Sequence, residues 1–175
     1  MTLEKHVTDT MKEWQMKIGS LGPEIRLYYP KESLCEYLEL AMETDDKALS
    51  RYAEAYFRKQ AAYLGTVSVS GKQGRFCIQV GTKGCGYVEN NLPVPAFLAG
   101  FLEALKTQKM DMICRCFEEY ARVSGTKVRT EKREESTAFY FEDEEAEPYV
   151  YCIDRNAFGI TYHRFARSDY GKLWE

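Results

Sequence analysis

At 175 residues, with 45% hydrophobic and 29% charged side chains, the chain can bury about 70% of the surface it would expose unfolded, which excludes a disordered or disulfide-stapled polypeptide. The net charge is −3, and only the stretch 65–125 is positive, at +2, between flanks of −2 and −3. No clustered basic stripe is present to track a phosphate backbone, so nucleic acid is excluded as a partner.

Leu3, Val7, Met11, Trp14 and Ile18 recur at steps of three and four and predict an amphipathic helix over residues 2–18, ended by Gly19. His6 falls on its polar stripe and is expected in solvent. After the turn at Pro23, Ile25, Leu27 and Tyr29 alternate with Glu24, Arg26 and Tyr28, a short strand cut off by Pro30. Leu34, Tyr37, Leu38 and Ala41 give a second helical stripe, for which Pro30 suits the first position. Thr44 or Asp45 caps a third helix over roughly 46–63, carried by Leu49, Tyr52, Ala53, Tyr56 and Tyr63.

From residue 65 the period changes to two. Val67 and Val69 alternate with Thr66, Ser68 and Ser70; Gly71 to Gly74 turn the chain; Phe76, Ile78 and Val80 alternate on the return, a hairpin. The glycines at 81, 84 and 86 have a spacing whose bare amides could cradle phosphate, but only where such a loop opens a helix. With Tyr87, Val88 and Pro93 following, they are read as a flexible turn. Helices are predicted over about 95–106, on Phe97, Leu98, Phe101, Leu102 and Leu105, and about 109–123, on Met112, Ile113, Cys116, Phe117 and Tyr120, before Gly125. No linker or repeat divides the chain, so a single domain over 1–175 is expected.

The carboxyl-terminal fifty residues read as a four-stranded meander near 126–165. If Val128 pairs with Phe139, Phe139 with Tyr151 and Tyr151 with Tyr162, one register serves three hairpins, with Thr126, Phe141, Tyr149, Arg164 and Thr130, Thr137, Ile153, Ile160 as neighbouring rows. The opposite face then carries Arg129, Tyr140, Val150 and His163, with Glu131, Ala138, Cys152 and Thr161 beside them, a mixed and partly wet surface. Arg133 and Glu134 supply neither the Gly nor the Asn of a two-residue hairpin, which leaves a longer loop and a slipped register open there. Ser168, Asp169 and Tyr170 offer a last helical turn before Trp174.

Six cysteines, at 35, 77, 85, 114, 116 and 152, lack paired zinc-ligand spacing, and two histidines cannot make a three-histidine centre; buried reduced thiols are expected, with no metal and no cofactor. The crowded carboxylates Glu142, Asp143, Glu144, Glu145 and Glu147 lack the spacing of a calcium loop and read as a solvated hairpin tip that keeps a sheet edge from pairing. Arg129, Tyr140 and His163 are of the types that dominate recognition surfaces and form the candidate binding patch, against a face covered by a helix of the same domain. The rival is an enzyme in which His163 acts with Cys152 or Asp154; the register sets Cys152 and His163 diagonally, beyond direct hydrogen bonding.

The segment Ile25, Arg26, Leu27, Tyr28, Tyr29, Pro30, followed by Leu34 within an opening helix–strand–helix arrangement, resembles a bacterial family catalogued as a domain of unknown function. The resemblance implies a small cytoplasmic bacterial protein and brings no catalytic residues. A cytoplasmic location also agrees with the charged first turns from Met1 to His6 and with the lack of any run near the ~18 apolar residues of a membrane span. The expectation is thus an α+β domain of about five helices on antiparallel sheet, with a hairpin near 65–80. Its function is recognition of a protein or small polar ligand through the outer face of the carboxyl-terminal sheet, with assembly into a homo-oligomer as a third class.

Overall fold

Thr2 and Gly19 bound the first helix: the Thr2 hydroxyl accepts the Lys5 N–H at 3.4 Å, and Gly19 takes the left-handed conformation (φ 89°) that stops α1, Leu3–Ile18. The computed structural model describes residues 1–173, which gather into two compact units, Met1–Val94 and the chain from Pro95 onward.

In the first unit, β1 (Ile25–Pro30) buries Ile25, Leu27 and Tyr29 and turns Arg26 and Tyr28 outward, as its alternation requires. Pro30 closes β1 and stands before α2 (Lys31–Leu38), which Glu39 ends at φ 54°, short of Ala41. Asp45 caps α3 (Asp46–Gln60), accepting the N–H groups of Lys47 and Ala48 at 3.1 and 3.2 Å. A 3-10 turn, Ala62–Leu64, leads to the expected hairpin, β2 (Val67–Lys72) and β3 (Arg75–Val80). Only Gln73 and Gly74 lie between the paired Lys72 and Arg75, both with positive φ, so the connection is a two-residue type I′ turn. Gly71 is a strand residue: a Cβ there would stand 2.4 Å from the Phe76 ring, which crosses over it. β3 lies between β1 and β2 in an antiparallel sheet.

The glycines at 81, 84 and 86 make no flexible turn. Thr82–Asn91 is a helix, α4, with Gly81 at its amino end. Gly84 faces the 3-10 turn so closely that a Cβ would come 2.6 Å from the Leu64 carbonyl oxygen. At the other end the buried Lys12 of α1 donates from Nζ to the Val88 and Glu89 carbonyls at 3.0 and 3.3 Å, supplying partners that a helix terminus otherwise lacks. His6 is also not in solvent as expected: its Nδ1 is hydrogen-bonded to Tyr29 Oη at 2.7 Å and its ring stacks on Tyr37.

The second unit opens with α5 (Ala96–Lys106) and α6 (Met110–Ser124), followed by β4 (Val128–Lys132), β5 (Ser136–Phe141), β6 (Tyr149–Asn156) and β7 (Gly159–Ala166) in an antiparallel sheet of that order. The expected inner face holds. Phe139, Phe141, Tyr151 and Tyr162 meet the rings of α5 and α6, with centroids 4.7 Å apart for Phe117–Phe139, 5.0 Å for Phe97–Phe141, and 4.8 Å for both Phe101–Tyr151 and Phe101–Tyr162; offset and edge contacts of this kind suit aromatic quadrupoles.

Two of the three pairings are corrected. Phe139 does pair with Tyr151, but Val128 pairs with Phe141 and Tyr151 with Arg164. Between β4 and β5 the chain from Arg133 to Ser136 makes a longer loop, closed by Arg133 N–H on the Ser136 carbonyl at 2.9 Å. Between β6 and β7 the strands run out to the tip, where Asn156 pairs with Gly159. Both slips are by two residues, so every side chain keeps its face. A short helix, α7 (Arg167–Lys172), follows β7. Among the described residues there are seven α-helices rather than about five, α4 and α7 being the additions, and none is long and apolar enough to cross a membrane.

Candidate functional site

The outer face of the carboxyl-terminal sheet is where the recognition patch was expected, and α7 occupies its middle. Tyr170 packs on Ala138, Val150 and Cys152, with Tyr140 and Phe165 partly buried against them. Glu131 ties the helix down: it accepts the Tyr140 hydroxyl at 2.9 Å and the Tyr170 hydroxyl at 3.0 Å. Arg167 adds its guanidinium over the Tyr140 ring, 5.1 Å from the centroid, and an ion pair to Glu144 at 3.3 Å. The hydrogen bond to Glu131, then burial, raises the Tyr140 phenol above its ordinary pKa; for Tyr170 burial is the larger cause.

The three patch residues fall on either side of this clamp. Arg129 lies opposite Tyr140 in the β4–β5 ladder, as expected, and its guanidinium pairs with Glu142. His163 leaves that row. It stands opposite Cys152, in the row that runs through Ala138 to Glu131, directly across the ladder rather than diagonally. Arg129 and His163 are on the two edge strands, three interstrand spacings or about 14 Å apart. The fold therefore joins Arg129 with Tyr140 and separates both from His163.

His163 is 67% exposed in its side chain, with Nε2 3.7 Å from Asp154 Oδ2. Cys152 beside it is 7% exposed, and burial, helped by the Asp154 carboxylate, pushes its thiol up to about 11. At neutral pH that sulfur is a protonated thiol under Tyr170, the opposite of what a nucleophile needs. All six cysteines are free, and among the described residues no three His, Cys, Asp or Glu side chains converge where a metal ion could be held.

Glu131, Arg167 and Tyr170 were missed as the groups that organise this face. Glu131 could have been found: it shares the outer face with Tyr140, and a carboxylate on a half-buried face requires a donor. The acidic tip also divides. Glu142, Asp143, Glu144 and Glu145 are exposed, whereas Glu147 is buried and accepts the Tyr151 hydroxyl at 3.3 Å.

In the first unit, a cleft of about 420 Å³ is lined by Arg58, Gly65, Thr66, Gly81, Thr82 and Lys83 among others, beside the start of α4. Thr82 is already engaged there, donating its hydroxyl to the Pro23 carbonyl at 2.9 Å.

Among the described residues, two antiparallel sheets, one of three strands and one of four, and seven α-helices define an α+β protein. The chain belongs to the family described as "Domain of unknown function, E. rectale Gene description (DUF3877)", which matches residues 1–174 and so spans both units. No curated protein and no solved structure matches the chain.

Proposed function

We propose that the chain is a cytoplasmic bacterial recognition module, without catalysis of its own, that holds a partner protein or a small polar ligand on the outer face of its carboxyl-terminal sheet. The supporting observation is that Arg129, Thr161 and His163 stand exposed at the margins of that face, on either side of a centre that Tyr170 covers. Exposed polar and charged groups held on the rigid strands of a sheet are the kind that fix a ligand's orientation and supply its specificity. With an overall charge of −3, neither nucleic acid nor an anionic membrane is an expected partner. The rival enzyme reading, His163 with Cys152 or Asp154, has the imidazole–carboxylate approach in its favour but lacks a nucleophile, because Cys152 is held as the thiol.

The test is a thermal-shift screen of the full chain against carboxylates, phosphates, amines and nucleosides, each hit re-measured on Arg129→Glu, Tyr140→Ala and His163→Ala. A ligand of this face should bind at least about tenfold more weakly either to both Arg129→Glu and Tyr140→Ala or to His163→Ala, a loss of about 1.4 kcal/mol. If every compound that binds the wild type binds all three variants equally, the outer face is not the site.

A further inference from the structure

The outermost strands of a sheet present N–H and C=O groups that another chain can pair with, and proteins guard such edges. Among the described residues the two sheets have four edges, and three of them carry a guard. In the three-stranded sheet, Pro30 ends β1 without an N–H. On the other side of that sheet Glu54 of α3 reaches the edge of β2, where its Oε1 accepts the Val69 N–H at 3.0 Å. In the four-stranded sheet, Gln108 grips Ile160 of β7 with both ends of its amide. Its Oε1 accepts the Ile160 N–H at 2.7 Å, and its Nε2 donates to the Ile160 carbonyl at 3.0 Å. The fourth edge is β4.

The bonds that flank β4 fix which of its groups point outward. The Glu142 N–H donates to the Lys127 carbonyl at 2.8 Å, and the Arg133 N–H to the Ser136 carbonyl at 2.9 Å. Bonding to β5 therefore falls on the odd-numbered residues, and Val128, Thr130 and Lys132 turn their N–H and C=O groups away from the sheet. Among the described residues nothing takes these groups, and Thr130 and Lys132 are exposed.

Charges on β4 guard the edge only where like signs meet, and in one self-pairing they do not. Set antiparallel to β4 of a second copy about a two-fold axis at Thr130, the strand places Val128 opposite Lys132 and Arg129 opposite Glu131. A shift of two residues either way brings Arg129 against Arg129 or Glu131 against Glu131, which is unfavourable. A shift of one sets the inner face of one copy against the outer face of the other. Both charged residues have neighbours in their own copy: Arg129 pairs with Glu142, and Glu131 accepts the Tyr140 and Tyr170 hydroxyls. Those phenols are neutral donors, so Glu131 keeps the charge that selects the register. Beyond the strand ends Lys127 would face Arg133, which confines the pairing to Val128–Lys132.

We propose that the chain forms a homodimer in which β4 pairs with β4 of a second copy about Thr130, joining the two four-stranded sheets into one. The contact is isologous and closed, as a two-fold dimer requires. It supplies about six backbone hydrogen bonds, two of them exchanged between Thr130 and its counterpart, and two pairings of Arg129 with Glu131. The seam buries little apolar area and has a like-charged pair at each end, so the dimer is weak and forms as concentration rises. It sets the Arg129–Tyr140 flanks of both copies side by side, and it forms with or without a ligand there.

Sedimentation velocity of the full chain, from low micromolar to several hundred micromolar, should show the wild type passing from monomer to dimer. Thr130→Pro removes an N–H that faces water in the monomer, a change that edge strands tolerate. With two interstrand bonds gone, association should weaken at least about tenfold; circular dichroism would verify the fold. Oxidation with copper phenanthroline reads the register separately. Thr130→Cys places two thiols across the axis with Cα atoms about 5.5 Å apart, within disulfide reach, whereas Lys132→Cys places them about 14 Å apart. The first variant should cross-link into a covalent dimer well beyond the wild type, and the second should not. A wild type that stays monomeric throughout, a folded Thr130→Pro that dimerises as the wild type does, or a Lys132→Cys that cross-links as readily as Thr130→Cys overturns the proposal.

Discussion

The buried thiol of Cys152 makes a measurable contribution to stability that depends on pH. An ordinary cysteine titrates at 9.0, and in the folded chain this one is pushed up to about 11. Between those values the unfolded chain has lost the proton and the native chain keeps it, so the native state binds more protons and stability falls as pH rises. The contribution is fully present below pH 9 and is lost as the pH climbs through 11. Two units set the limit at about 3 kcal/mol, of which about half has gone by pH 10.

Cys152→Ala deletes this titration and leaves every other group in place. Urea unfolding of both proteins at pH 7.5 and pH 10, followed by circular dichroism, should show the variant less stable at pH 7.5 through lost packing. At pH 10 it should have closed the gap on the wild type by about 1 kcal/mol. Maleimide labelling with peptide mapping gives an independent reading: at pH 8 Cys152 should react far more slowly in the native protein than in urea. If the gap between the two proteins is the same at both pH values, or if native Cys152 labels as fast as the unfolded thiol, the burial argument fails. The case against thiolate chemistry at this face fails with it.

Gly84→Ala should destabilise the chain by about 3 kcal/mol, because its methyl would sit 2.3 Å from Val80 Cγ1 and 2.6 Å from the Leu64 carbonyl oxygen, whereas Gly86→Ala, with open space around it, should stabilise by up to about 1 kcal/mol; equal urea midpoints for the two variants would refute the packing account of α4. Lys12→Met removes the ammonium that closes the carboxyl end of α4 and should cost about 2 kcal/mol at neutral pH. Burial lowers the pKa of Lys12 below 10.5, so the folded chain releases this proton first and the wild type gains on the variant as pH rises toward 10.5; a deficit that shrinks over that range would contradict it.

Much of the fold was legible because it rests on period. The two-residue alternation of Ile25, Leu27 and Tyr29, and of Phe76, Ile78 and Val80, maps directly onto buried faces. So does the inner face of the carboxyl-terminal sheet, since a slip of two residues changes partners and leaves faces untouched. What was not legible depends on contacts between distant residues. Glycines at 84 and 86 argue against a helix locally, and α4 exists because Gly84 fits against Leu64 and Lys12 closes the far end. His6 sits on a polar stripe yet is claimed by Tyr29 and Tyr37, residues more than twenty positions away. The candidate site was half legible: the outer face and its residues follow from alternation, but its cover does not. One signal was available, since Tyr149 to Ile153 is an unbroken apolar run and the strand it forms is buried on both faces, which required something to lie over the outer side.

That cover decides where recognition can occur. With Tyr170 seated on Cys152 and Val150, the centre of the outer face is closed, and a ligand must use one flank or the other: the Arg129–Tyr140 pair on β4 and β5, or His163 with Asp154 and Thr161 on β6 and β7. Arg129→Glu and Tyr140→Ala should weaken a ligand of the first flank and leave one of the second untouched, and His163→Ala should do the reverse. Loss of one ligand to substitutions on both flanks would mean that a single surface reaches across the cover.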